Sequence, residues 1–179
     1  MLMGQWRNHT WFSDVIMVKC VFSHHIRVSC MRYDPKMIQP FRDELTRLGF
    51  SELRTVEDVD RSIRETPGTQ LLVFNSVCGC AAGKARPALG LALNQSPVRP
   101  QHLTTVFAGG DVEATARVRE LMGNVPPSSP SIALWKDGQL VEFIPRYMIE
   151  SKDAAQIATH LKEIFKEHCT TPQPVPAGK

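Results

Sequence analysis

The sequence has little net charge and few aromatic residues. Its formal net charge is only +3 over 179 residues, and aromatic residues make up 7% of the chain. No cluster of lysine and arginine stands out, and the aromatic residues do not interleave with basic ones as they do in proteins that stack on single-stranded nucleic acid. We therefore expect no nucleic-acid partner.

The sequence also lacks a long uninterrupted apolar run. The apolar stretch from Trp11 to Phe22 is broken by Asp14 and Lys19, whereas a membrane-spanning helix needs about 20 mostly apolar residues. No small-residue cleavage site of a secretory signal follows it. We therefore expect no membrane partner and a cytoplasmic location.

Cysteine is scarce and irregularly spaced. An odd number of cysteines without regular spacing does not fit the disulfide framework of a small secreted domain. In a reducing compartment, two close cysteines are more often catalytic or metal-binding than structural. The five cysteines are Cys20, Cys30, Cys78, Cys80 and Cys169.

Residues 1–32 differ in composition from the rest of the chain. They mix Trp, His, Arg and Cys without a helical or strand period, so we expect either a disordered extension or a start codon assigned too far upstream. A zinc site is disfavoured, because adjacent histidines do not match the ligand spacing of structural zinc sites. Its ligands would be Cys20, His24, His25 and Cys30.

From residue 33 onward the pattern is regular and predicts one domain over residues 33–169, followed by a proline-rich, flexible tail over 170–179. Asp34-Pro35 marks the start of a first helix and Gly49 its end. The predicted elements that follow are a helix over 56–65, a strand over 70–76, a helix over 79–93, a strand over 102–108, a helix over 111–122, strands over 131–135 and 139–144, and a helix over 151–168.

This order predicts the fold class. The first strand–helix–strand unit should be parallel with a right-handed crossover. Lys136-Asp137-Gly138, between the last two strands, is a hairpin turn signal that predicts antiparallel pairing. We therefore predict an α/β fold with a mixed central sheet and helices on both of its faces. Because the close pair Cys78 and Cys80 lies between the strand over 70–76 and the helix that follows it, the plan is thioredoxin-like.

The tripeptide Cys78-Gly79-Cys80 lies where the predicted strand over 70–76 gives way to a helix. Unpaired N–H groups at a helix N-terminus carry partial positive charge, which favours ionisation of a thiol placed there. Since the thiolate is the nucleophilic form of cysteine, this position predicts thiol chemistry.

The residues around this tripeptide resemble the bacilliredoxin family of bacteria, whose members have a thioredoxin-like fold and a Cys-Gly-Cys motif in place of Cys-X-X-Cys. The resemblance covers residues 33–168. It is carried by residues 75–83 and 85–87 around the motif, and by residues 33–40, 127–134 and 145–150.

The resemblance implies thiol–disulfide exchange in which bacillithiol, a small thiol bearing a malate group, is removed from mixed disulfides on proteins. Cys78 would attack the mixed disulfide and take up bacillithiol, and Cys80 or a second bacillithiol molecule would release it. The implied partners are S-bacillithiolated proteins and bacillithiol as co-substrate, with no bound cofactor and no metal. A Cys78–Cys80 disulfide would close around a single glycine, so we expect a strained, easily reduced bond.

The remaining candidate residues surround the thiols. A side chain at Gly79 would hinder the tight ring and an approaching substrate. Lys84 and Arg86 are candidates to steer an anionic thiol, although such residues usually form only a solvated face. Ser129-Pro130 matches the position at which thioredoxin-like proteins keep a cis-proline facing the active thiol, the alternative being a plain proline before a strand.

Pro87 inside the predicted active-site helix should kink it.

Protein disulfide isomerisation or general reduction on the same fold is an alternative function. A non-catalytic metal- or cluster-binding module is a second alternative, with Cys169 as a conceivable third ligand; otherwise we expect Cys169 to be an exposed thiol after the last helix.

Overall fold

The computed structural model describes residues 33–170. The expectations for residues 1–32, including the zinc alternative, and for residues 171–179 lie outside the described residues. The helices are α1 (Pro35–Thr46), α2 (Val56–Asp60), α3 (Arg86–Gln95), α4 (Val112–Leu121), α5 (Arg146–Glu150) and α6 (Ala154–His168), and the strands are β1 (Ser51–Glu52), β2 (Thr69–Asn75), β3 (His102–Phe107), β4 (Ser131–Lys136) and β5 (Gln139–Ile144).

These strands form one mixed sheet in the order β1-β3-β2-β4-β5. The central strand β2 pairs in parallel with β3 and antiparallel with β4, while β4 and β5 form an antiparallel hairpin. Asp137 and Gly138 turn this hairpin with positive φ angles of 49° and 78°, as a tight hairpin turn requires. The predicted thioredoxin-like α/β fold is confirmed.

Strand β2 is buried on both faces of the sheet. Leu71 and Val73 pack with α3 and α6 in one hydrophobic cluster, whereas Leu72 and Phe74 pack with α2 and α4 in another. Alternate residues of a strand point to opposite faces, so helices on both sides cover this strand completely. The chain therefore runs through the middle of the core in β2 and leaves it directly before the turn that carries the two thiols.

Polar caps explain why several helices begin where the sequence predicts. The Asp34 carboxylate accepts a hydrogen bond of 2.8 Å from the Lys36 N–H. Thr55 and Asp153 each form a reciprocal capping box with the residue three positions later. The Asp153 cap places the start of α6 at Ala154, three residues after the predicted start.

The helix after the cysteines is irregular rather than a continuous α-helix. Residues Ala81–Ala85 form a π-helical turn, after which α3 begins at Arg86. The Arg86 N–H bonds to the carbonyl of Ala81, five residues earlier, and Pro87 follows with no N–H of its own to donate. The interruption of this helix is therefore the π turn over Ala81–Ala85, whereas Pro87, which we expected to kink the helix, lies in the first turn of α3.

Within residues 33–170, the helices are too short or too polar for any of them to cross a membrane.

Candidate active site

The two cysteines of the tripeptide lie just beyond the carboxyl end of β2. Both thiols are free and half-buried, while Gly79 between them is exposed. The Cys78 and Cys80 Sγ atoms are 2.7 Å apart, so each sulfur lies within reach of the other. A Cβ added at Gly79 would meet no other atom within 4 Å, so packing in the reduced protein does not require glycine there.

The surroundings of Cys78 favour its ionised form. Burial raises the pKa of this thiol, but hydrogen bonds from the Cys80 thiol, from Ser76 and from the Ala81 N–H, together with the charge of Arg146, outweigh burial and lower the pKa. The Ser76 Oγ lies 3.2 Å from the Cys78 Sγ. Cys78 is therefore the more reactive thiolate of the pair.

The surroundings of Cys80 have the opposite effect. Burial, its hydrogen bond to Cys78 and the negative charge that develops on Cys78 raise the pKa of Cys80, and the nearby Glu150 adds to this rise against the opposing charge of Arg146. Cys80 thus keeps its proton and donates it toward the Cys78 sulfur. These surroundings suit Cys78 for attack and Cys80 for holding a proton, and the roles that the sequence predicts for the two cysteines stay predictions.

Arg86 does not lie on a solvated face, and that expectation is wrong. Its side chain is 3% exposed. Its Nε donates to Glu44 at 2.6 Å, and its Nη1 donates at 3.1 Å to both the Asn75 side-chain oxygen and the Ser76 carbonyl. The guanidinium also stacks 5.2 Å from the Phe41 ring centroid. Arg86 therefore holds the backbone before Cys78 and is too deeply buried to steer a substrate.

Lys84 and Arg146 lie on the other side of the thiols and are linked through α5. The Lys84 Nζ donates to the Glu150 carbonyl oxygen at 2.5 Å. The Arg146 Nε donates to the Glu150 carboxylate at 2.7 Å, and its charge acts on both thiols. The sequence leaves Arg146 open between steering an anionic thiol and lying on a solvated face, and the five-residue helix after Pro145 is too short to show a periodic pattern.

Ser129 and Pro130 lie at the start of β4, beside the end of β2. The Ser129–Pro130 bond is cis, as predicted, and Pro130 is buried. Arg146 fixes the loop before it, since its backbone N–H donates to the Ser128 hydroxyl at 2.7 Å and its Nη1 donates to the Ser129 carbonyl at 3.3 Å. This loop and α5 therefore form one wall near the thiols.

A cavity of about 820 Å³ lies against that wall. We call it the α5 cavity; the loop residues Val125–Ser129, the segment from Phe143 through α5, and Arg119 of α4 line it. It holds both apolar side chains and two arginines, Arg119 and Arg146, beside the carboxylate of Glu150. This combination suits a small ligand with an anionic part.

Cys169 is not an exposed thiol. It is 5% exposed and belongs to the core cluster that covers one face of the sheet, where burial raises the pKa of its thiol despite a hydrogen bond from Thr69.

Across residues 33–170, no three His, Cys, Asp or Glu side chains gather in a group that could hold a metal ion. The metal-binding alternative therefore finds no ligand set in this part of the chain.

Comparison with known proteins matches the described segment closely. A family model described as disulphide isomerase matches residues 33–169. A bacilliredoxin of Bacillus cereus (strain ATCC 10987 / NRS 248) is 50% identical over 137 residues, which are 76% of this chain and 95% of the relative. A bacilliredoxin of Symbiobacterium thermophilum is 55% identical over 125 residues, which are 70% of this chain and 88% of the relative.

Among solved structures, mitochondrial thioredoxin 3 from Saccharomyces cerevisiae in its oxidized form matches with a TM-score of 0.47 and 18% identity. The match covers 67% of this chain and 96% of that one.

The contact between Ser76 and Cys78 gives a testable prediction. Ser76→Ala removes a hydrogen bond that stabilises the thiolate, so the pKa of Cys78 should rise and its alkylation by iodoacetamide at pH 7 should slow by roughly fivefold. The rate is followed on the peptide that carries Cys78 by mass spectrometry. Ser62→Ala, whose hydroxyl bonds Gln70 away from the thiols, is the control, and equal rates in both variants would contradict the assignment.

The buried position of Arg86 gives a second prediction. Arg86→Met removes the guanidinium that donates to the Ser76 carbonyl, to Glu44 and to the Asn75 side-chain oxygen, which keeps only the Ser76 N–H. The free energy of unfolding in urea should therefore fall by about 3 kcal/mol. The control is Arg47→Met, whose side chain is 74% exposed and whose replacement should change stability by no more than about 0.5 kcal/mol. A similar urea midpoint for the two variants would show that Arg86 does not hold the loop.

Proposed function

The chain belongs to the bacilliredoxin family, a family with a thiol redox function, and on this premise we propose that it removes bacillithiol from mixed disulfides on cytoplasmic proteins. The proposed partners are S-bacillithiolated proteins, and bacillithiol is the co-substrate. The observation that carries the proposal is the unequal pair of thiols, because Cys78 is held as a nucleophile beside a thiol that keeps its proton.

The first step exchanges one disulfide for another. The Cys78 thiolate attacks the bacillithiol sulfur of the mixed disulfide, the bond to the substrate protein breaks, and the released protein thiolate takes a proton from solvent. Cys78 is left in a mixed disulfide with bacillithiol, so the substrate cysteine is reduced while Cys78 is oxidised. No external oxidant or reductant is consumed in this step.

The second step releases bacillithiol by one of two routes. Cys80 loses its proton and attacks the Cys78 sulfur, which frees bacillithiol and leaves a Cys78–Cys80 disulfide that two external thiols must reduce. Alternatively, a second bacillithiol thiolate attacks the sulfur of the bacillithiol bonded to Cys78, so that bacillithiol disulfide forms and the Cys78 thiolate leaves. The 2.7 Å separation of the two sulfurs supports the first route.

Disulfide isomerisation is a second candidate function, favoured by the description of the family model as disulphide isomerase. The same attack by Cys78 on a disulfide between two protein cysteines would begin it. The two functions differ in substrate, so scrambled ribonuclease and a bacillithiolated protein can be compared directly with the same enzyme preparation.

The proposed mechanism predicts unequal effects of the two cysteines. Cys78→Ser should slow release of bacillithiol from a bacillithiolated protein by at least about a hundredfold, because it removes the nucleophile. Cys80→Ser should retain turnover that increases with added bacillithiol, since only the second route remains. Bacillithiol release is followed by mass spectrometry of the substrate protein.

Cys169→Ala is the matched control, because it removes a buried thiol that contacts Thr69 at the opposite end of β2. It should release bacillithiol at the rate of the unaltered protein. Full activity in Cys78→Ser would overturn the mechanism, and faster action on scrambled ribonuclease than on the bacillithiolated protein would favour isomerisation.

A further inference from the structure

We propose that the α5 cavity binds the carboxylate-bearing part of the small thiol, with Arg119 and Arg146 as its cationic contacts. This inference rests on the proposed function, because it identifies where the small thiol lies while its sulfur is at Cys78. Three observations support it: the cavity is lined by Ser129 and Arg146, the Nε of Arg119 has no hydrogen-bond partner among the described residues, and the cavity lining carries a net positive charge.

The position and size of the α5 cavity suit a small ligand held beside the thiols. Its volume of about 820 Å³ falls in the range of roughly 300–1,000 Å³ that is usual for small-molecule sites. Ser129, which precedes the buried Pro130, lines it, and so does Arg146, whose charge acts on both sulfurs. The cysteines do not line the cavity themselves, but Ser129 and Arg146 join it to the thiol pair, and we infer that a molecule bonded through sulfur to Cys78 extends along them into this space.

Arg119 is the residue that points to an anion. Its Nε is buried and has no hydrogen-bond partner among the described residues, although the guanidinium lies 5.9 Å from the Phe74 ring centroid. A buried donor without a partner is costly, and in native proteins such groups usually find one. Because Arg119 lines the α5 cavity, a carboxylate bound there would supply its guanidinium group with a charge-assisted hydrogen bond.

The charges lining the cavity favour the same ligand. Glu150 accepts a hydrogen bond of 2.7 Å from the Arg146 Nε, and with two arginines and one carboxylate the lining keeps a net positive charge. Apolar walls from Pro126, Pro127 and Phe143 complete the space. A carboxylate joined to a less polar body matches this distribution of charged and apolar groups.

The alternative cations near the thiols do not line the α5 cavity. The Lys84 Nζ donates to the Glu150 carbonyl oxygen, and Arg86 is buried behind the thiol-bearing turn with Glu44, Asn75 and Ser76. We therefore assign the attraction of an anionic thiol, which the sequence suggested for Lys84 and Arg86, to Arg119 and Arg146.

The test compares two small thiols on one carrier protein, so that the protein part of the substrate stays constant. A single carrier cysteine is capped with mercaptosuccinate, which bears two carboxylates, or with mercaptoethanol, which is neutral. In Arg119→Gln, the ratio of kcat/KM for the mercaptosuccinate cap over the mercaptoethanol cap should fall about tenfold, the effect of one lost charge-assisted hydrogen bond. Arg119→Lys keeps the charge and should retain more of the ratio.

Arg64→Gln is the matched control, because this arginine is 61% exposed and does not line the α5 cavity. It should leave the ratio unchanged. An equal fall on both caps in Arg119→Gln would overturn the inference, since the arginine would then contact the carrier protein or the thiols instead of the carboxylates. That result would leave the proposed dethiolation intact.

A binding measurement separates this inference from the proposed function. Malate, which has the carboxylates but no thiol, is titrated into the reduced protein and followed through the amide resonances of Ser128, Ser129 and Tyr147. These resonances should shift in the unaltered protein and in Arg64→Gln but not in Arg119→Gln. Absence of shifts in the unaltered protein would overturn the cavity assignment, whereas shifts without activity on either cap would overturn dethiolation alone.

Discussion

The buried guanidinium of Arg86 is the constraint on which the active site depends. It joins α3 to the end of β2 through the Asn75 side chain and the Ser76 carbonyl, and to α1 through Glu44. Three elements that are distant in sequence therefore meet at the turn that carries the thiols. Because Ser76 is fixed at its carbonyl, its hydroxyl remains within 3.2 Å of the Cys78 sulfur.

Beside this turn, the pKa values of Cys78 and Cys80 shift in opposite directions because the surroundings of the two thiols differ. Cys78 receives hydrogen bonds from Cys80, Ser76 and the Ala81 N–H, whereas Cys80 lies beside the charge that forms on Cys78 and beside Glu150. Arg146 on α5 favours the charged form of both thiols and also anchors the loop that ends in the cis-proline. Arg146, on one short helix, thus acts on both thiols, holds the loop before the cis-proline and lines the α5 cavity.

Much of the fold was predictable from the sequence, because long elements carry periodic patterns and caps such as Asp34 are local. Two elements escaped prediction because β1 has two residues and α5 has five, too few for a period to develop. The burial of Arg86 escaped because Glu44, one of its partners, lies 42 residues away in sequence. Cys169 was predicted to be exposed because its position after a helix does not reveal the core cluster that it joins.

The most direct test of the account is to locate the intermediate on the protein. A Cys80→Ala variant, mixed with a bacillithiolated protein in the absence of free bacillithiol, lacks both routes for releasing the captured thiol. Peptide mapping by mass spectrometry should find bacillithiol on Cys78, at up to one equivalent per protein molecule. Capture on any other cysteine, or release of the substrate thiol with Cys78 left unmodified, would contradict the central claim that Cys78 is the attacking residue.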